Sequence, residues 1–168
     1  MTEPTKKLFD PGRTFIIAEI AQSYEGSFDD ASALVTAAAR AKADAVKFHV
    51  FFADELAVPA YEHYALFRRL EFTAAQWGEL AALARRLGLA FFADVLGPDG
   101  LRVLNELHAD GLKIHATDME NLALLRAVGA TARPVFLACG GATPGETATA
   151  LRTLRQAGPR AICLLHGF

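Results

Sequence analysis

Six short runs of apolar, β-prone residues recur along the chain, at 15–20, 45–51, 89–95, 111–116, 134–140 and 161–167. They are near-continuous rather than alternating, the pattern of strands covered on both faces, and each is followed by a segment with helical spacing. Two capping boxes fix helix starts. Thr73-Ala-Ala-Gln76 opens a helix with the apolar stripe Trp77, Leu80, Leu83, Ala84 and Leu87 and the stop Gly88. Thr143-Pro-Gly-Glu146 opens another, with proline where its missing N–H costs nothing and Gly158 just past the end. Ser27 and Asp29 are candidate caps for a helix over 31–41, Pro98 and Asp99 open a third helix, and a further one spans about 120–128 before Gly129. Strand and helix alternating in this way predict an α/β fold with a parallel sheet. Residues 52–72 form an insertion after the second strand, in which Tyr61, Tyr64, Leu66, Phe67 and Leu70 predict a short extra helix. A loop of that length at a strand's C-terminal end is more often functional than idle. Two architectures share the repeating unit, a doubly wound open sheet and a (β/α) barrel. Ala21-Gln-Ser-Tyr-Glu-Gly26 stands where a dinucleotide fold carries its glycine fingerprint, which favours the barrel.

Composition narrows the picture. The 168 residues are 52% apolar, enough for one folded domain, and 17 basic against 19 acidic side chains give a formal charge of -2. Without a basic field, nucleic acid and anionic membrane surfaces are poor candidates for partners. No apolar run approaches the roughly 18 residues of a membrane span, and the polar start, 1–11, has no signal-peptide core, so a cytoplasmic protein is expected. Cys139 and Cys163 lie inside apolar runs without metal-ligand spacing, which predicts reduced core thiols rather than a disulfide or zinc site.

Charged residues gather near the C-terminal ends of the runs: Glu19 in the first, Lys47 and His49 in the second, Asp94 in the third, Lys113 and His115 in the fourth, His166 in the sixth. In (β/α) barrels this end builds active sites. One such residue is readily explained as a structural ion pair or a satisfied core histidine. The repetition at one end instead implies a shared polar cavity, because each buried charge is costly alone. Lys47 and His49 share a strand face, as do Lys113 and His115, so two ammonium groups converge and predict an anion site for phosphate or carboxylate. Glu19 beside them is placed to act as a general base or to stabilise a developing cation.

These motifs resemble the N-acetylneuraminate (sialic acid) synthase family, which condenses phosphoenolpyruvate with an N-acylated amino sugar. The likeness rests on Ile17-Ala-Glu-Ile20 with Tyr24-Glu-Gly-Ser27, Ala43-Asp-Ala-Val-Lys-Phe48, Gly111-Leu-Lys-Ile114, Asn121, 134–140 and Leu164-Leu-His166. It implies that Glu19 is the active-site glutamate and that Lys47 and Lys113 contact phosphate. His49, Asp94, His115, Asp118 and His166 are further candidate contacts to sugar or water. Ala93-Asp-Val-Leu96 stands where the family carries Ser-Thr-Pro-Phe, whose threonine helps hold phosphate, and Ala116 and Ala138 replace hydroxyls. Asp94 would repel a phosphate, while Thr117 or the backbone N–H groups of Gly140 and Gly141 could compensate. This describes a divergent branch.

A closed barrel of this kind takes eight strands and roughly 250 residues. Six strands are legible here, so the expected organisation is an N-terminal extension, 1–14, and a partial barrel, 15–168. The family's divalent metal, manganese or magnesium, is implied as cofactor, with ligands beyond this chain and none within it. Its small antifreeze-like domain, which completes a partner's site in a dimer, would also lie beyond. A homo-oligomer is expected, and the 168-residue chain alone is expected to be inactive. The alternatives are a non-catalytic barrel fragment that binds an anion or a partner chain, and another phosphate-using barrel such as an aldolase working through a lysine Schiff base.

Overall fold

The computed structural model describes Leu8 and residues 10–167, so most of the expected extension and Phe168 lie outside the described residues. Six parallel strands form one sheet in chain order: β1 (Ile17–Ala21), β2 (Ala45–Val50), β3 (Ala90–Val95), β4 (Gly111–Ile114), β5 (Pro134–Ala138) and β6 (Ala161–Leu165). Among the described residues, seven α-helices accompany them: α1 (Phe28–Arg40), α2 (Ala53–Leu56), α3 (Tyr64–Leu70), α4 (Ala74–Arg86), α5 (Pro98–Glu106), α6 (Leu122–Gly129) and α7 (Pro144–Ala157). Every strand pairs with its sequence neighbours, the arrangement of a (β/α) barrel and not of a doubly wound sheet, whose strand order reverses.

The caps work as the sequence predicts. Thr73 and Thr143 each accept a hydrogen bond from the backbone three residues on, with Gln76 and Glu146 reaching back, and Ser27 caps α1. Gly158 ends α7 in the left-handed region at φ 92°. The insertion holds two short helices, α2 and α3, rather than one. Strand ends are shorter than the apolar runs, so His115 and His166 follow β4 and β6 instead of lying within them.

Alternation divides the sheet. Val46, Phe48, Val50, Phe91, Ala93, Val95, Leu112 and Ile114 face the helices and are buried, in contact with a cluster that includes Trp77, Leu80 and Leu104. The opposite parity forms the inner face. Its N-terminal half is apolar: Ala45, Ala90, Phe92 and Phe136 pack with Leu8, Phe15 and Ile17, the Phe92 and Phe136 rings 5.6 Å apart. Its C-terminal half carries the charges.

Toward β6 the layers thin out. Leu164 and Leu165 are exposed, and so is Cys163, contrary to the expectation of a core thiol, because among the described residues nothing covers that side of the last strand. Cys139 is half-buried and both thiols are free. Among the described residues, no helix is long and apolar enough to cross a membrane.

Candidate active site

Strand register explains how the charged side chains meet. Across β1 and β2, Glu19 lies opposite Lys47; across β2 and β3, His49 lies opposite Asp94; across β3 and β4, Asp94 lies opposite Lys113. All point to the inner face, one layer above the phenylalanine floor.

Asp94 is the hub. It is fully buried, and its Oδ1 accepts from Lys47 Nζ at 2.5 Å. Its Oδ2 faces Lys113 Nζ at 2.6 Å, His115 Nε2 at 2.6 Å and His49 Nε2 at 3.2 Å. Lys47 also pairs with Glu19, whose side chain remains half-exposed. Burial by itself pushes the Asp94 carboxyl up, but the contacts from His115 and His49, the charge of Lys47 and the hydrogen bond from Lys113 outweigh it. The carboxyl is held well below the usual carboxylate range. The apolar floor keeps water from beneath these charges and strengthens their mutual hold. The two imidazole rings stand edge to face, 5.2 Å apart.

Six of the eight predicted residues thus hold one another in a single network. Asp118 sits in the 3₁₀ turn after β4, half-buried, and burial pushes its carboxyl up against the smaller opposing pull of His115. His166 is exposed on the segment after β6, at the same end of the sheet. Thr117, Gly140 and Gly141, the proposed substitutes for lost hydroxyls, line one depression of about 270 Å³. Glu120 and Glu146 line it too, and their charges oppose an anion there.

Asp94 is the common acceptor and occupies the ground between the lysines, where the sequence alone predicts only a repulsive neighbour of phosphate. The signal was present, since consecutive parallel strands with matched polar ends put Lys47, Asp94 and Lys113 side by side. Glu55 was also missed. From the end of α2 it accepts from the backbone of Asp99, at 2.7 Å, and of Gly100, at 3.3 Å, and so caps α5 across the mouth.

A parallel βα sheet with an ion cluster at the C-terminal ends of its strands defines the class: a (β/α)-barrel protein with the site position used by barrel enzymes. The sequence model of the NeuB family matches residues 34–168, and the chain belongs to that family. It is 33% identical over 153 residues to an uncharacterized protein of Methanocaldococcus jannaschii, covering 91% of this chain and 45% of that one. It is 30% identical over 163 residues to the spore coat polysaccharide biosynthesis protein SpsE of Bacillus subtilis, covering 90% and 44%. Among solved structures, the N-acetylneuraminic acid (sialic acid) synthetase of Leptospira borgpetersenii, in complex with citrate, superposes with a TM-score of 0.85 at 30% identity, over 90% of this chain and 53% of that one. The chain therefore spans a little under half the length of these curated relatives.

Proposed function

We propose that the chain is the phosphoenolpyruvate-binding part of a synthase barrel that condenses phosphoenolpyruvate with an N-acylated amino sugar to a nonulosonic acid. One observation carries the reading. Lys47 and Lys113 both lie within hydrogen-bond distance of a single carboxylate, so one anionic group of that size spans both ammonium groups. In the reaction, C3 of phosphoenolpyruvate attacks the aldehyde carbon of the open-chain sugar, water adds to C2, and phosphate leaves. Lys47 and Lys113 would hold the anionic donor and Glu19, exposed at the mouth beside Lys47, would face the reacting carbons. His49, His115, Asp118 and His166 would supply contacts to sugar or water. The implied divalent metal, manganese or magnesium, would polarise the aldehyde. A cytoplasmic homo-oligomer is the expected setting.

The test is binding. Phosphoenolpyruvate should raise the chain's thermal midpoint, and Lys113→Ala should abolish that protection while leaving the circular dichroism spectrum unchanged. Equal protection of both proteins would remove Lys113 from the site. With manganese, phosphoenolpyruvate and N-acetylmannosamine, the 168-residue chain should release no phosphate.

A second reading, a non-catalytic anion- or partner-binding barrel fragment, is favoured by Asp94, which already neutralises the lysines. Coding sequence beyond residue 168 with two further βα units would support the synthase. The aldolase alternative finds no support in the site: both lysines are held by carboxylates, unlike the apolar setting that activates a Schiff-base lysine.

A further inference from the structure

The contacts around Asp94 Oδ2 do not balance as hydrogen bonds. Lys113 Nζ, His115 Nε2 and His49 Nε2 all converge on this one oxygen, which has two lone pairs. Lys113 Nζ also faces His115 Nε2 at 3.5 Å. If that nitrogen is protonated to donate to Asp94 it opposes the ammonium; if it is not, it has nothing to donate. A cation between the imidazoles and the carboxylate would accept the lone pair of each Nε2; the ammonium of Lys113, which shares Oδ2, then has to turn outward from the ion.

The three side chains lie close enough together to share one ion. The ligand atoms of His49, Asp94 and His115 all lie within 4.8 Å of one another. Ligands at about 2.1 Å from an ion sit about 3.0–3.4 Å apart in octahedral or tetrahedral geometry. The His49 to Asp94 separation, 3.2 Å, already falls in that range, and the His115 to Asp94 separation, 2.6 Å, has to open by about half an ångström. Strand register fixes the set: His49 and Asp94 are paired across β2 and β3, and His115 follows the β4 residue pair that continues the same face. The carboxylate is fully buried, while the imidazoles are 22% and 30% exposed, which leaves the outer positions open to a ligand.

We propose that His49, Asp94 and His115 form a site for one borderline divalent transition-metal ion, of the zinc, cobalt or iron(II) kind, with open positions toward the barrel mouth. Two imidazoles and one carboxylate select such ions over calcium or magnesium, which prefer all-oxygen surroundings. The ion would restore positive charge where Asp94 has cancelled that of the lysines, so the open positions suit a carboxylate or phosphate oxygen. This site is separate from the metal implied on later strands and does not rest on the condensation reading.

The test uses the 168-residue chain, stripped with chelator and dialysed against zinc, with the bound metal measured by mass spectrometry and cobalt as a visible-absorption probe. One equivalent of zinc per chain is expected, together with a rise in thermal midpoint. His49→Gln and His115→Ala should each weaken binding at least about tenfold, and His63→Gln, at an exposed histidine of the insertion, should change nothing. The mutated side chains are only partly buried, so circular dichroism should show native folds. Absence of stoichiometric binding by the unaltered chain, or equal binding by both site variants, would overturn the proposal and leave the cluster as an ion network alone.

Discussion

Two ammonium groups and two imidazoles converge on the buried carboxylate of Asp94. Removing its charge leaves Lys113 without the carboxylate that faces it and Lys47 with only the half-exposed Glu19. Breaking a buried pair from one side typically costs about 3–5 kcal/mol, mostly as the penalty of the charge left behind. Asp94→Asn should therefore lower the unfolding free energy by about 3 kcal/mol in urea titrations. The same substitution should tighten inorganic phosphate binding, since the anion no longer competes with an internal carboxylate; a loss below about 1 kcal/mol would mean that water solvates the lysines. From the chain alone, the identity of the charged residues and the sheet face they occupy are legible, because parity is local. Their mutual distances are not, because these depend on which strands are neighbours and in what register.

At the scale of elements, the helices with capping boxes were legible almost to the residue: Thr73 and Thr143 each start a helix, and Gly158 stops one. The insertion was legible in part: the residues from Tyr61 to Leu70 mark α3, whereas α2, four residues long, is too short to show a helical period and its placement depends on contacts made elsewhere in the chain. Glu55 is one such contact. It lends α5 the cap that Gly97, without a side chain, cannot supply, and a methyl group on Gly97 would lie 2.3 Å from the Glu55 carboxylate. Glu55→Ala should destabilise the chain by about 1 kcal/mol and raise amide exchange in both α2 and the first turn of α5, read by hydrogen-exchange mass spectrometry. Exchange confined to α2 would show that the cap contributes nothing to α5.

For the whole molecule, the six-strand sheet leaves β1 and β6 with one strand neighbour each among the described residues. Ile16, Leu164 and Leu165 are exposed beside these edges, at 53%, 43% and 37%. Unpaired parallel edges next to apolar surface are association sites. The 168-residue chain made by itself is expected to self-associate or to be poorly soluble, and size-exclusion chromatography with light scattering checks this; a clean monomer would show that the edges are protected. Strand order has another consequence, for how the sheet forms. Each pairing joins segments separated by a single βα unit, so no strand waits for a distant partner. Loop-closure entropy is met in small, similar steps as the chain lengthens. If the strands dock in chain order, Lys47 meets Glu19 when β2 docks, and its second carboxylate arrives with β3. Lys113 then comes last, into a place where a counter-charge is already waiting, so neither lysine of the site is buried before something can neutralise it.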